Sequence, residues 1–146
     1  MVFLVDADGS TPPKEIPKLL DALKNCDIAV GSRYLSASKA DIPFGRRMFS
    51  FVFHLLVQVL FGLGIRDTQC GFKAFRLGAV KKILPCVKTT NFVWDVDALY
   101  HAKKFGLRVQ EIPIEWHVKS GGTITSLNGI QTAFKMFSTL LKLRFS

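Results

Sequence analysis

The sequence has little with which to build a cross-linked or metal-stapled fold. Its three cysteines, Cys26, Cys70 and Cys86, are odd in number, widely spaced and without a CxxC pair. That argues against a disulfide framework or a zinc site, and for a reducing compartment. The three histidines, His54, His101 and His117, show no metal-ligand spacing. Internal repeats and low-complexity tracts are missing, and 49 % of the residues are hydrophobic, which argues against disorder. Acidic residues are scarce: 11 against 20 Lys and Arg, a formal charge of +9. The deficit is uneven. Residues 1–30 carry three bases and five acids, residues 31–91 ten bases and two acids, and residues 117–146 four bases and no acid. Such a balance points to a polyanionic partner: phosphate, an anionic membrane or nucleic acid. Nucleic acid ranks last, because no RNA-binding aromatic motif or zinc finger is present and the basic residues flank apolar helices. The 146 residues suit a single domain, 1–146, with a sizeable core. The apolar run after Met1 is too short and too soon polar to read as a signal peptide.

What the chain does have begins at that run. Val2-Phe3-Leu4-Val5 breaks into Asp6-Ala7-Asp8-Gly9-Ser10. A continuous apolar stretch of this length fits a strand buried on both faces, as in α/β sheets. Ligands in such sheets bind at the carboxyl ends of strands, where Asp6 and Asp8 fall. Two carboxylates there suit a hard divalent cation that also takes phosphate oxygens. A calcium loop of the EF-hand type is excluded: Thr11 stands where Gly is required and Pro17 where Glu is required, and a strand precedes the motif. A solvated loop with incidental carboxylates is the competing reading.

Thr11-Pro12-Pro13 is a helix start, and Ile16, Leu19, Leu20 and Leu23 follow at helical spacing. Asp27 to Gly31 reads as a second strand, followed by Ser32-Arg33-Tyr34. Residues 35–43 form a polar loop. Met48 to Leu63 is the most hydrophobic segment; its polar residues before Gly62 are Ser50, His54 and Gln58, four apart and hence one thin stripe on a helix. Two readings compete: a buried core helix, or a helix lying in a membrane interface with Arg46 and Arg47 at the headgroups. The size of the domain favours the second. Residues 66–76 are a loop running into a strand. A short helix is predicted over 78–84, a helix over 92–104 stopped by Gly106, and a strand over 107–116, with Pro113 marking a sheet edge. Asp95 and Asp97, two apart on the helix, point in different directions. Residues 119–123 form a flexible loop. In the last helix Leu127, Ile130, Phe134, Phe137 and Leu141 form one apolar face.

Taken together, Val-Asp-Ala-Asp-Gly at 5–9, Val-Gly-Ser-Arg-Tyr at 30–34, Arg-Asp-Thr-Gln-Cys-Gly-Phe-Lys at 66–73, Phe-Val-Trp-Asp-Val-Asp-Ala-Leu-Tyr at 92–100 and Ile-Pro-Ile-Glu-Trp at 112–116 carry a resemblance. In this order they resemble the family 2 glycosyltransferases of GT-A fold, and among these the polyprenyl-phosphate sugar transferases. The likeness runs from Val2 to Phe145, with Asp67 to Lys73 its most specific part. It implies an α/β, Rossmann-like GT-A fold lacking its first strands, the carboxyl-terminal portion of a catalytic domain. Helices over 44–63 and 126–145 would lie in the membrane interface. It implies Mg²⁺ or Mn²⁺ held by Asp6 and Asp8 on the diphosphate of UDP-glucose or GDP-mannose. The acceptor would be a polyprenyl phosphate at the cytoplasmic face of a membrane.

By the same resemblance Arg33 lies near the acceptor and diphosphate. Asp67 and the Asp95/Asp97 pair lie near the sugar and acceptor, so that Asp8, Asp67 and Asp95 are the candidate catalytic carboxylates. Asp95 also reads as a helix-start carboxylate with a structural role. Arg46, Arg47 and Lys119 would meet lipid phosphate or headgroups, or serve as solvated surface charge. Gly-Gly-Thr at 121–123 stands where the family commonly has Gly-Ser and a basic residue. The strands that build the base and ribose pocket of this fold are not in the chain, so it is expected to bind nucleotide-sugar weakly. Two further readings are a family 2 transferase with another acceptor and a catalytically dead membrane-binding module.

Overall fold

A computed structural model describes residues 1–118 and 128–145. The chain forms a mixed α/β structure around a four-stranded sheet. In chain order come β1 (Val2–Val5), α1 (Ile16–Ala22), β2 (Ile28–Ser32), β3 (Lys39–Ala40) and α2 (Phe44–Phe61). They are followed by β4 (Phe72–Phe75), α3 (Leu77–Ile83), α4 (Trp94–Lys104), β5 (Val109–Pro113), β6 (Glu115–Trp116) and α5 (Asn128–Phe145). Short 3₁₀ turns at Pro13–Glu15 and Leu84–Cys86 precede α1 and follow α3. Each has a proline in its first two positions, where a missing N–H costs nothing.

The sheet order is β1-β4-β2-β5. β4 runs antiparallel to both β1 and β2, pairing Val5 with Phe72 and Val30 with Lys73. β5 runs parallel to β2, from Ile28 opposite Val109 to Ser32 opposite Pro113. β1, β2 and β5 therefore end at the same edge of the sheet, beside the start of β4. That edge collects Asp6, Arg33 and Gly71 from three distant parts of the chain. The strands pack closely here, since a Cβ on Gly31 would stand 3.0 Å from the Phe72 ring.

Side-chain alternation divides the core. Phe72, Ala74 and Ala29 face Leu19, Leu23 and Cys26 of the α1 region. Ile28, Val30 and Phe75 face Ala79 and Ile83 of α3 and Ala98, Leu99 and Ala102 of α4. A third cluster joins Phe53, Val57 and Phe61 of α2, spaced four apart, to Val93, Val96, Met136 and Leu140. Each large side chain buried this way contributes roughly 1.5–3 kcal/mol. Gly62, in the left-handed region at φ 57°, ends α2, its N–H donating to Gln58 O at 2.8 Å.

Two expectations need correction. β1 is not buried on both faces: Val2–Val5 are all exposed, at 37–45 %. It is an edge strand paired only with β4, and none of its residues joins the described core clusters. The strand expected over 107–116 is two strands. The chain leaves β2 after Pro113, and Ile114 O accepts from Lys39 N at 3.0 Å as β6 pairs with β3 in a second, two-stranded sheet. That sheet lies partly within the loop expected over 35–43. In α5 Met136 and Leu140 are buried against α2 and α4, while Phe134 and Phe137 of the apolar face read from the sequence are exposed. Pro113 does lie on an edge strand, β5.

Asp97 is fully buried and acts on the chain before α4. Its Oδ2 accepts from Lys88 N, Thr89 N and Thr89 Oγ1 at 2.9–3.0 Å. Its Oδ1 lies 3.3 Å from His101 Nε2, within ion-pair range but without hydrogen-bond geometry. Asp97→Ala leaves three donors unsatisfied and is expected to cost about 3 kcal/mol. Urea denaturation, read by circular dichroism, checks this.

Candidate active site

The site is assembled at the shared strand edge. Arg33, just past β2, is held by Asp67 in a two-pronged pair, Nε to Oδ2 at 2.8 Å and Nη2 to Oδ1 at 2.9 Å. Arg33 N also donates to Oδ2 at 2.9 Å. Both side chains are largely buried. The paired carboxylate outweighs the cost of burial and pushes the guanidinium pKa further up, so Arg33 is charged at any working pH. Asp67 is fixed in turn from β5: Glu111 accepts from Asp67 N and Arg66 N at 3.0 Å. The Arg33 guanidinium lies 5.7 Å from the Tyr34 ring and 5.4 Å from the Trp116 ring. Arg46 of α2 stands 5.1 Å from the same indole. Trp116 is buried and thus serves two guanidiniums as an aromatic platform.

The acidic half lies at the end of β1. Asp6 N donates to Gly71 O at 3.0 Å, and the Asp6 carboxylate rests where a Cβ of residue 71 would stand. Only glycine fits beneath it. Burial raises the Asp6 pKa, as do the charges of Asp8 and Asp95, while Lys73 and Arg33 pull it down. Asp8 Oδ1 accepts from Ser10 N at 2.8 Å, a local turn that sets the loop after β1. Lys73 of β4 is 0 % exposed. It donates to Asp95 Oδ1 at 2.7 Å and to Cys70 O. Asp95 therefore faces the site and Asp97, two residues on, faces away, as helical geometry requires.

Of the residues singled out from sequence, Asp6, Asp8, Arg33, Asp67 and Asp95 gather at this edge. Arg46 stands beside Trp116, and Lys119, with the loop 119–123, lies outside the described residues. Lys73, Glu111, Tyr34 and Trp116 carry no role in the sequence reading. Strand alternation is the signal for Lys73: in Phe72-Lys73-Ala74-Phe75 it shares a face with Phe75, toward α4. Glu111 carries no comparable signal, since it meets Asp67 across 44 residues of chain.

Beside Arg33 opens a cavity of about 620 Å³, the size of a small-molecule site. Its lining brings together Arg33, Arg47 and Arg66 with Ile42, Phe51 and Leu35. Ser50 and His54 of the polar stripe on α2 open into it. Gln58, the third member, instead donates to Ile65 O and accepts from Gly64 N, holding the turn after α2.

No protein-family model matches the chain. Curated relatives do. An undecaprenyl-phosphate mannosyltransferase of Micrococcus luteus is 30 % identical over 128 residues, covering 86 % of this chain and 53 % of its own length. A dolichyl-phosphate β-glucosyltransferase of Saccharomyces cerevisiae is 35 % identical over 135 residues, 82 % of this chain and 40 % of its own. A polyprenol monophosphomannose synthase of Mycolicibacterium smegmatis is 32 % identical over 136 residues, 91 % and 51 %. By sequence the chain is similar to these polyprenyl-phosphate sugar transferases of glycosyltransferase family 2. It spans about half the length of the curated relatives it matches.

Asp6 and Asp8 are two carboxylates of suitable chemistry for a divalent cation. Asp6 and Asp8 lie close enough to raise the Asp6 pKa, and Mg²⁺-type sites commonly take one or two carboxylates and complete the shell with substrate phosphates. No cluster of three or more His, Cys, Asp or Glu is present among the described residues. The residues fit a cation shared with a ligand rather than a closed protein cage.

Asp67→Ala strands the Arg33 charge in a largely buried setting and is expected to cost about 3–5 kcal/mol in chemical denaturation. Arg33→Lys keeps the charge, loses the fork, and is expected to recover only part of that stability. For Asp6 the folded pKa is raised, so the stability tied to its neutral form is present at low pH and lost as pH rises through the folded value. Asp6→Asn is therefore expected to raise the melting temperature at pH 7 relative to wild type and to change it little near pH 3. Calorimetric scans at the two pH values check this.

Proposed function

We propose that this chain carries the acceptor-side machinery of an inverting glycosyltransferase that moves glucose or mannose from UDP-glucose or GDP-mannose to a polyprenyl phosphate. The cavity beside Arg33 carries the reading. Three guanidiniums share it with apolar side chains, the pairing that suits a phosphate on a hydrocarbon tail. The relatives' names agree with such an acceptor.

In this reading a phosphate oxygen attacks the anomeric carbon directly, the carbon–oxygen bond to the nucleoside diphosphate breaks, and the configuration inverts. The acceptor is a phosphate monoester with a second pKa near ~6, so it arrives largely deprotonated and needs no general base. Asp67, with both oxygens on Arg33, acts as a positioning residue. Arg33 orients the attacking phosphate. Lys73 takes up Asp95 and lowers the repulsion around Asp6. Asp6 and Asp8 would hold Mg²⁺ or Mn²⁺, which when bound offsets charge on the leaving diphosphate.

The same reading sets the chain against a membrane. α2 has 18 residues, about 27 Å of helix, with only Phe53, Val57 and Phe61 buried. It is long and apolar enough to cross a membrane by length and composition. Phe44, Met48, Phe51, Val52, Leu55 and Val59 are exposed along it, with Arg46 and Arg47 in its first turns. Phe134, Phe137 and Phe145 are exposed on α5, which packs against α2. Two helices of this kind suit burial at the interface of the cytoplasmic leaflet, their basic residues at its anionic headgroups.

The test is a transfer assay on the full-length product of the gene with labelled UDP-glucose and GDP-mannose, Mn²⁺ and vesicles containing polyprenyl phosphate. Label is expected in an organic-soluble lipid from one donor, and Asp8→Ala and Arg33→Ala are each expected to lower the rate by about 100-fold or more. Flotation on the same vesicles is expected to weaken in a Phe51→Glu, Val59→Glu double variant. Flotation without transfer from either donor would leave a membrane-binding module in place of an enzyme.

A further inference from the structure

One ammonium ion serves an edge that carries several carboxylates. Lys73 is fully buried, and a buried charge is tolerated only with partners. Asp95 Oδ1 at 2.7 Å and Cys70 O supply them. In the register of β1 and β4, Leu4 stands opposite Lys73, and Asp6 N donates to Gly71 O. Side-chain alternation therefore puts Asp6, Gly71 and Lys73 on one face of the sheet. It is the face on which α4 presents Asp95 to Lys73.

Lys73 does not share itself among these carboxylates. Its ion pair is with Asp95. The charges of Lys73 and Asp95 reach Asp6 through space, with no hydrogen bond to the Asp6 carboxylate. Asp8 is engaged by Ser10 N. Asp95, in the first turn of α4, is thus pinned by its lysine while Asp6 stays open. Three carboxylates free to converge would supply most of a protein cage for a cation. The described residues bring no three His, Cys, Asp or Glu together for that purpose.

We propose that Lys73 is a positioning residue that keeps Asp95 out of the shell of the divalent cation. Asp6 and Asp8 alone then hold the ion, and its remaining positions stay open to water and the diphosphate. The proposal rests on the cation reading above and adds to it what limits the protein's share of the shell. Ligand charge count sets how tightly such an ion is held. Two carboxylates let the ion arrive and leave with its diphosphate. A third would retain it after the nucleoside diphosphate departs. A lysine that served packing alone would have no effect on the number of waters on a bound ion.

The experiment is Mn²⁺ binding to the full-length product of the gene, without nucleotide. Electron paramagnetic resonance reads the affinity, and water-proton relaxation reads the number of waters on the bound ion. Lys73→Met, Asp95→Asn, the double variant and Asp6→Asn are compared with wild type, and circular dichroism melts follow the fold of each. Asp6→Asn is expected to weaken Mn²⁺ about tenfold or more. Lys73→Met is expected to tighten it about tenfold and to remove about one water, because Asp95 becomes a ligand. The double variant is expected to regain the wild-type water count. Asp95→Asn alone is expected to keep that count, which decides the matter if Lys73→Met does not fold. If folded Lys73→Met keeps the wild-type water count, with or without tighter binding, Lys73 does not hold Asp95 out of the shell and the proposal is overturned. A water gained in Asp95→Asn would make Asp95 a ligand already and overturn it too. In both cases the cation site stands. If Asp6→Asn binds Mn²⁺ as wild type does, the cation reading fails and the proposal with it.

Discussion

Everything at the strand edge refers back to one ion pair, Arg33 with Asp67. A guanidinium carried into the protein at the end of β2 would be an isolated charge, and burial of an isolated charge is among the costliest events in folding. Asp67 accepts two hydrogen bonds from it and a third from the Arg33 backbone N–H, and Glu111 on β5 holds the backbone of Asp67. The pair thereby ties the end of β2, the loop after α2 and the β5 edge strand to one another. Its net stabilisation is not the main point, since buried ion pairs commonly break even. Its product is position: the guanidinium is held beside the Trp116 and Tyr34 rings, and Arg33 lines the cavity.

The same edge carries two electrostatic regimes a short distance apart. Around the cavity the side chains are cationic. At the end of β1 they are acidic, and burial together with the charges of Asp8 and Asp95 raises the pKa of Asp6. Lys73 stands between the regimes. It is a fully buried lysine, and Asp95 with the Cys70 carbonyl supplies the partners that such a charge needs. Gly71, adjacent in sequence, leaves room for Asp6 where any side chain would collide with it. A loop of a few residues, Asp67 to Lys73, thus serves both regimes, and it is also the stretch in which the family resemblance is most specific.

Much of this was legible in the sequence where the relevant interactions are local. The stripe of Ser50, His54 and Gln58 falls on the inner side of α2 because three residues four apart share a helix face whatever surrounds them. Asp95 and Asp97 diverge for the same reason. Gly106, in the left-handed region, stops α4. Legibility ends where neighbours decide. The burial of β1 depends on what lies beside it in the sheet, and an apolar run reads alike in a central and in an edge strand. The break at Ile114 depends on β3, a two-residue partner with no pattern of its own. In α5 the position of α2 decides that Met136 and Leu140 are buried. The fork itself joins residues 34 apart, and no periodicity announces it.

That last separation has a kinetic meaning. The bonds that build the site close loops of 22, 34 and 44 residues. Each closure carries an entropic cost that grows with the logarithm of loop length, and contacts between distant residues form late in folding. The helices can begin to form from local signals, but the arginine fork cannot exist before β2, β4 and β5 have aligned. The geometry of the site is thereby tied to the alignment of the sheet that carries it.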